Sequence, residues 1–271
     1  MVQAPVLVTP PAYANPLPYD LLSVSDVTTS GDPHWIFGGV AAETAACVTG
    51  ATERDVCAPG AAKVGQGLYG SAITSASGPL FAYVLSTCRL VGGATDTTSI
   101  ADAEKALDGT EGPIVEAQFM AEILAPNATD VTPPGAPAGG VPFKVGIGVL
   151  EAYAAQHYGG VPILHMPRSL VQTSGLSVSD GALRTVLTTP VAAGAGYERP
   201  YAPKGTQIAA GAAFTWLYVT GAVSIEKSAM TTRRVDDLVH NEFSVLAERA
   251  YAPLVQCLVA AVKVAIPAAV G

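Results

Sequence analysis

The chain has 271 residues, of which 49% are hydrophobic and only 13% are charged, and its formal net charge is −8. This composition excludes an intrinsically disordered chain, and the length is sufficient for one large domain or two small ones. Lys and Arg form no run beyond Arg233–Arg234, so the sequence lacks the basic patch with which proteins grip nucleic-acid phosphates. Sparse charge favours burial of the surface against partners.

Two weakly structured segments open the chain. Residues 1–33 are rich in Pro, Ser and Thr and show no sustained period, which predicts an extended arm rather than a packed element. Residues 34–78 consist mainly of small residues, glycines and short apolar runs. This composition predicts a long, hairpin-like excursion, which is unusual inside a compact domain unless it serves a purpose outside that domain.

A strand and a long helix follow. Residues 79–93 alternate large and smaller side chains, which predicts a strand. Residues 99–124 carry an apolar helical stripe, but the sequence DGTEGP interrupts it, so we predict a helix that is kinked or split at Gly109–Pro113. On this helix Glu116 is interpreted as part of a solvated face. Residues 126–142 have the Pro- and Gly-rich composition of a linker.

The rest of the chain has the pattern of a small α/β unit and a β-rich ending. VGIGVLEAYAAQHYGG predicts a helix, VPILHM a short buried strand, PRSLVQTSG a helix that starts at Pro, and LRTVLTTPVAAGAG a hairpin. AFTWLYVT and AVSIEKS predict two strands at 213–220 and 222–228. Polar residues and Pro267 interrupt the apolar stretch 250–271, so we interpret it as buried strands rather than as a membrane span.

Motifs that would carry chemistry are weak. GQGLYG at 65–70 matches GxGxxG, but the residues after it are poor helix formers, and no acidic residue follows at the spacing of a dinucleotide site. The four histidines are scattered, and His165 is interpreted as a structural rather than a catalytic residue. Glu248 and Arg249 are interpreted as a half-buried structural ion pair. We therefore predict no catalytic residue and no cofactor.

The cysteines show no metal-binding spacing. Cys47, Cys57, Cys88 and Cys257 include no CxxC and have no histidine at ligand spacing, which argues against zinc and predicts no metal site. Cys47 and Cys57 can pair across the turn between them. Free buried thiols are the favoured state of a chain that shows no sign of secretion.

The order of these elements resembles that of tailed-bacteriophage major capsid proteins, whose fold encapsulin shells share. The ending is the most similar part, with Asn241, Ser244–Leu246, Glu248–Arg249 and Ala261–Val264 at the corresponding places. The stretch YGGVPILHMPRSL, followed by LTTPVAAG, is also similar to the A-domain pattern of that family. The resemblance implies an α+β fold with an N-terminal arm (1–33), an E-loop (34–78), a P domain (79–139 and 213–271, including a spine helix at 99–124) and an A domain (140–212).

The resemblance also implies a structural role. Many copies, as hexamers and pentamers, would form an icosahedral phage head that encloses double-stranded DNA without sequence-specific binding. The shell would assemble in the cytoplasm of the host bacterium and persist in the virion, with scaffolding, portal or decoration proteins as further partners and no membrane. The aromatic and apolar side chains of the E-loop would pack against a neighbouring subunit, namely Trp35, Phe37, Leu68 and Tyr69. In the P domain, Glu248 and Arg249 would form the structural ion pair.

Two alternatives remain open from the sequence. One is an encapsulin-like compartment shell that holds an enzyme instead of DNA. The other is a small-molecule enzyme built on the 140–212 α/β unit and the GQGLYG loop. The shell proteins would form large particles, whereas the enzyme would be a small oligomer that binds nucleotide.

Overall fold

The computed structural model describes residues 17–31, 35, 40, 43–45, 47, 69–89, 96–237, 239–240 and 242–267. The helices within them are α1 (Leu21–Val24), α2 (Asp96–Phe119), α3 (Ala125–Asn127), α4 (Phe143–His157) and α5 (Val171–Ser174). A π-helical turn (Met120–Leu124) joins α2 to α3, and two 3-10 turns lie at Arg168–Leu170 and Ala195–Glu198. The strands are β1 (Asp26–Ser30), β2 (Glu43–Ala45), β3 (Tyr69–Ser71), β4 (Leu80–Arg89), β5 (Thr129–Asp130), β6 (Ile163–His165), β7 (Ser177–Ser179), β8 (Ala182–Arg184), β9 (Val191–Ala192), β10 (Phe214–Thr220), β11 (Val223–Ser228), β12 (Thr231–Asp237), β13 (Glu242–Val255) and β14 (Val259–Ala265).

The first sheet is built around the long strand β13. Strands β11 and β12 pair with successive parts of β13, β4 pairs with it as well, and β1 extends the sheet beyond β11. Helix α2 packs across this sheet, with Leu107, Val115 and Phe119 buried in the interface. The predicted strands at 79–93 and 222–228 are confirmed as β4 and β11.

The second sheet has the order β5-β14-β10-β6-β9 and separates two apolar cores. On β10, Trp216 and Tyr218 belong to the core shared with α2, whereas Leu217 and Val219 face the core formed with α4. Alternate side chains of a strand point to opposite faces, so both faces of β10 are covered and its residues read as one apolar run.

Helix α2 runs unbroken from Asp96 to Phe119 with Pro113 in its interior, so the predicted split at Gly109–Pro113 is wrong, whereas the kink stays a prediction. Gly109 and Gly112 do not terminate the helix, and Gly112 packs against Asp20. A Cβ added at Gly112 would lie 2.4 Å from Oδ2 of Asp20, the residue that caps α1. The regular backbone instead changes at the π-helical turn that follows Phe119.

The end of the predicted arm is packed. Leu21 on α1 is fully buried in the first core, and β1 pairs in parallel with β11. The expectation of an extended arm is therefore wrong for residues 20–30, because one apolar anchor and a strand edge are enough to fix this short segment. The rest of the predicted arm, residues 1–16, lies outside the described residues.

The predicted boundary between the 140–212 unit and the flanking segments does not follow the sheets. Strands β10 and β14 come from the segment 213–271, but they pair with β6 and β5 in the second sheet. The predicted hairpin in LRTVLTTPVAAGAG is present as a single antiparallel bridge between Arg184 and Pro190, closed by a turn in which the Thr185 N–H donates to the Thr189 carbonyl at 3.0 Å. The flanking strands have further partners, since β8 also pairs with the preceding strand β7 and β9 pairs in parallel with β6. Helix α4 and strand β6 confirm the predicted helix and buried strand.

Candidate assembly surfaces and buried polar clusters

The residues predicted to contact a neighbouring subunit are described only in part. Phe37 and Leu68 lie outside the described residues. Tyr69 is the first residue of β3, and Trp35 is half-buried within its own subunit, with an indole nitrogen that is shielded from solvent. Their contact with a second subunit therefore stays a prediction.

The predicted excursion is fastened to its own subunit at its base. Strands β2 and β3 pair antiparallel, with Glu43 opposite Ser71. Two residues further, Ile73 exchanges backbone hydrogen bonds of 2.8 and 2.9 Å with Val255 at the end of β13. A disulfide joins Cys47 to Cys257, so the expectation that Cys47 is free or paired with Cys57 is wrong. The sequence favoured free thiols and allowed a pair with the nearby Cys57, whereas the fold brings together residues separated by 210 positions.

An apolar stripe is exposed on strand β4. Phe81, Tyr83 and Leu85 are 48%, 63% and 59% exposed, while the alternate residues Leu80 and Ala82 are buried against the core. The predicted alternation was correct, but the large side chains lie on the outer face of the sheet. Contiguous exposed apolar side chains of this kind mark interaction surfaces. We name Phe81, Tyr83 and Leu85 the β4 stripe.

A buried carboxylate connects α2 to the first sheet. Glu111 accepts a hydrogen bond from Lys227 Nζ at 2.7 Å and another from the Tyr251 hydroxyl at 2.5 Å, and it forms an ion pair with Arg249. Arg249 also contacts Asp108 at 3.0 Å. No local sequence pattern marks this cluster, because its members come from three elements that are distant along the chain.

The predicted ion pair between Glu248 and Arg249 does not form. Adjacent residues of a strand point to opposite faces of the sheet, so these two side chains diverge on β13. Arg249 turns toward Glu111 on α2, whereas Glu248 pairs with Arg233 of β12 at 2.7 Å on the outer face. The Glu248–Arg233 pair is exposed at the arginine, whereas the Arg249–Glu111 pair is mostly buried.

A second buried carboxylate, Glu116, connects three parts of the chain. Its two oxygens accept hydrogen bonds from the backbone N–H groups of Leu21 on α1, at 2.9 Å, and of Gly196 in the second 3-10 turn, at 3.0 Å. Added Cβ atoms at Gly194 and Gly196 would collide with the Glu116 side chain. The prediction that Glu116 lies on a solvated face is wrong, because α1 and the 3-10 turn cover that face of α2.

Burial dominates the electrostatics of this site. It raises the pKa of Glu116 from 4.5 to about 7, although the N–H groups of Gly196 and Leu21 partly oppose the shift. Burial also raises the pKa of Asp20, which lies beside Glu116. Arg168 lies nearby and donates to the carbonyl oxygens of Pro18, at 2.8 Å, and Ala193, at 3.3 Å. The end of the predicted arm is thus held by a proton-sensitive set of contacts.

His165 is a structural residue. It is fully buried, and its two ring nitrogens contact the hydroxyl groups of Tyr197 at 3.1 Å and of Thr220 at 2.9 Å. Burial lowers the pKa of His165 to about 3, so the imidazole is neutral. Both nitrogens are occupied by protein partners, which leaves neither directed at a substrate and agrees with the structural interpretation.

The dinucleotide motif lacks its structural context. Tyr69 and Gly70 of GQGLYG lie in strand β3, whereas a phosphate-binding loop of this type opens a helix. The described part of the chain contains no group of three or more His, Cys, Asp or Glu side chains arranged to hold a metal. Within the same residues, no helix combines the length and apolar character needed to cross a bilayer.

No protein-family model matches the chain, and no curated protein matches it. Solved structures do match across nearly its whole length. The holo-SrpI encapsulin complex of Synechococcus elongatus PCC 7942 aligns with a TM-score of 0.57 and 10% identity, covering 97% of this chain and 94% of that chain. A structure of Mycobacterium phage Cain aligns with a TM-score of 0.50 and 13% identity, covering 92% of this chain and 91% of that chain. The mature capsid of bacteriophage PhiM1 aligns with a TM-score of 0.49 and 9% identity, covering 98% of this chain and 93% of that chain.

The first two of these likenesses establish the fold. The chain has the α+β tailed-phage major capsid fold that encapsulins share, and the resemblance inferred from the order of its elements is confirmed at that level. The alignment extends over nearly all of both chains, so the likeness is to whole subunits rather than to a shared piece.

Proposed function

We propose that the protein is the major capsid protein of a tailed bacteriophage, and that many copies of it form a closed icosahedral shell. The observation that carries the proposal is a whole-chain likeness to a shell subunit at a TM-score of 0.57. The exposed β4 stripe gives the subunit an apolar surface that a monomer would leave in contact with water.

We assign the chain regions accordingly. Residues 1–33 are assigned to the N-terminal arm, of which residues 20–30 are packed on the subunit body through α1 and β1. Residues 34–78 serve as the E-loop, with the P domain built around α2 and the A domain around α4. Trp35, Phe37, Leu68 and Tyr69 contact the neighbouring subunit in hexamers and pentamers. The β2–β3 pair and the Cys47–Cys257 disulfide support this assignment, because they fasten the base of the E-loop to its own subunit.

The proposed cargo is double-stranded DNA. A chain with a net charge of −8 and no basic run repels phosphates, so packaged DNA would be enclosed rather than bound in a sequence-specific manner. Such a shell assembles in the host cytoplasm, remains in the virion and uses scaffolding, portal or decoration proteins. An encapsulin-like compartment is the second candidate, favoured by the alignment to the SrpI encapsulin complex.

Electron microscopy of the purified protein tests the shell proposal. Recombinant protein, expressed with any assembly partner that it needs, is expected to form closed particles tens of nanometres across. Particles that contain nuclease-protected DNA when made in infected cells support the phage head, whereas a co-purifying enzyme inside them supports the compartment. A monomer or small oligomer under all conditions, together with measurable nucleotide affinity, would contradict both and favour the enzyme alternative.

A further inference from the structure

The disulfide between Cys47 and Cys257 joins two regions that are attached to the subunit body in different ways. Cys257 lies in the short connection between β13 and β14, and Gln256 beside it is held on two sides. Its backbone N–H donates to the carbonyl of Ala222 at 2.9 Å, and its side chain accepts from the Tyr158 hydroxyl at 2.8 Å. This side of the disulfide is a fixed part of the subunit body.

The other side of the disulfide belongs to the excursion. Cys47 follows β2 on the limb that leaves the body, and both cysteines pack at the edge of the second core. The returning limb is attached independently, through the two backbone hydrogen bonds between Ile73 and Val255. The leaving limb is tied to the body covalently at Cys47, and it pairs with the returning limb through β2 and β3.

We propose that the Cys47–Cys257 disulfide is a redox-controlled clasp that fixes the leaving limb of the excursion on its own subunit. In the oxidised subunit both limbs are fixed close together before any neighbour binds. In the reduced subunit the leaving limb loses its covalent tie at Cys47, whereas the returning limb keeps its backbone hydrogen bonds to Val255, so the leaving limb is held less firmly. The consequence for assembly rests on the proposed shell function, whereas the clasp itself does not.

The chemistry is thiol–disulfide exchange with a low-molecular-weight disulfide as the oxidant. A thiolate of Cys47 or Cys257 attacks the oxidant, forms a mixed disulfide and releases one thiol. The second thiolate then attacks the protein sulfur of that mixed disulfide, closes the Cys47–Cys257 bond and releases the second thiol. Two electrons and two protons pass from the protein to the oxidant, and a dithiol reductant reverses the sequence.

Peptide mapping tests the pairing directly. Trypsin cleaves after Arg54, Lys63, Arg89, Arg249 and Lys263, which places each of the four cysteines in a different peptide. Non-reducing digestion of the oxidised protein is expected to yield residues 1–54 linked to residues 250–263, and the link should disappear after reduction. A Cys47–Cys57 link, a covalent dimer on a non-reducing gel, or four free thiols after oxidation would overturn the proposal.

Thermal melting and hydrogen exchange test the clasp. Reduction is expected to lower the Tm of the wild-type subunit by roughly 5–15 °C, because cross-links stabilise chiefly by restricting the unfolded chain. Cys47→Ser and Cys257→Ser should abolish this dependence on reductant, and Cys57→Ser should preserve it. Amides at residues 43–47 should exchange faster after reduction, while those at residues 71–73 should change less. An unchanged Tm with unchanged exchange would refute the clasp.

The same variants separate the clasp from the shell proposal. If the linked peptide and the redox-dependent Tm are present but no variant or condition yields particles, the clasp stands and the shell proposal fails. If particles form equally from wild-type and Cys47→Ser protein in both redox conditions, the shell proposal stands. The clasp then has no role in assembly, and that part of the inference is overturned.

Discussion

At the scale of single residues, the two buried carboxylates of α2 differ in how their charge is compensated. Glu111 faces Lys227 and Arg249, two cations that offset the cost of burial. Glu116 accepts hydrogen bonds from two backbone N–H groups, which only partly offset the cost of burying its charge. Burial, and to a smaller extent the neighbouring Asp20, therefore raise the pKa of Glu116. A single helix therefore carries one carboxylate that is paired with two cations and one whose pKa is raised by burial to about 7.

The raised pKa of Glu116 predicts a pH dependence with a definite sign. Between pH 4.5 and 7 the folded subunit retains a proton that the unfolded chain releases, so stability falls as pH rises through this window and levels off above it. The loss from this group is on the order of 3 kcal/mol. Glu116→Gln should flatten the slope of unfolding free energy against pH, measured by denaturant titration of the unassembled subunit. Asp102→Asn, at an exposed position on the same helix, should leave the slope unchanged; equal slopes in wild type and Glu116→Gln would contradict the prediction.

The ion pairs of β13 predict a contrast between neighbouring residues. Glu111→Leu leaves the mostly buried Arg249 without its main partner and should destabilise the subunit by about 3 kcal/mol. Glu248→Ala removes a pair with the exposed Arg233 and should cost less than about 1 kcal/mol. Equilibrium unfolding of both variants measures the difference, and similar losses would mean that burial of the Arg249 pair does not matter.

At the scale of elements, close packing decides where glycine is needed. In α4, an added Cβ at Gly146 would lie 2.3 Å from a methyl group of Val264 on β14, whereas an added Cβ at Gly148 would meet nothing within 4 Å. The helix thus approaches the second sheet closely on one side and faces open space on the other. Two glycines with the same neighbours in sequence therefore have opposite requirements.

This difference predicts opposite effects for the same substitution. Gly148→Ala should stabilise the subunit by about 0.5–1 kcal/mol, because alanine restricts the unfolded chain and favours the helix. Gly146→Ala should destabilise it by about 1–3 kcal/mol, since the extra methyl group overpacks the contact with β14. Thermal melting of the two variants compares them, and two shifts of the same sign would show that α4 does not pack as described.

At the scale of the whole molecule, the subunit has covered cores and an uncovered outer sheet face. Both faces of β10 are buried, while the β4 stripe is exposed to solvent. Exposed side chains contribute little to the stability of the isolated subunit. Their removal should therefore affect association and not folding.

The β4 stripe predicts a variant that folds but assembles poorly. Tyr83→Glu places a charge on an exposed apolar surface, so the Tm of the unassembled subunit should change by only a few degrees while the yield of particles falls at least tenfold. Val178→Glu, at a 57% exposed position on β7, is the control for adding a charge to an exposed apolar site. Sedimentation measures the particle yield of each variant. Equal yields for Tyr83→Glu and Val178→Glu would show that the β4 stripe is not an assembly surface.

Local patterns were enough to predict the order and type of most elements, because hydrophobic periodicity, proline positions and glycine stops act over short distances. The strands at 80–89, 214–220 and 223–228 and the helix at 143–157 were predictable in this way, whereas the α+β capsid fold was implied by the resemblance in the order of the elements. Contacts between distant parts of the chain were not predictable from such patterns. The sequence alone predicts Gly112 to interrupt the helix, whereas in the structure Gly112 packs against Asp20 within a continuous helix. The sequence alone predicts Cys47 to be free, whereas in the structure it is bonded to Cys257. Likewise, Glu116 is buried and Arg249 faces α2 because elements far apart in sequence cover them, and local patterns carry no information about such contacts.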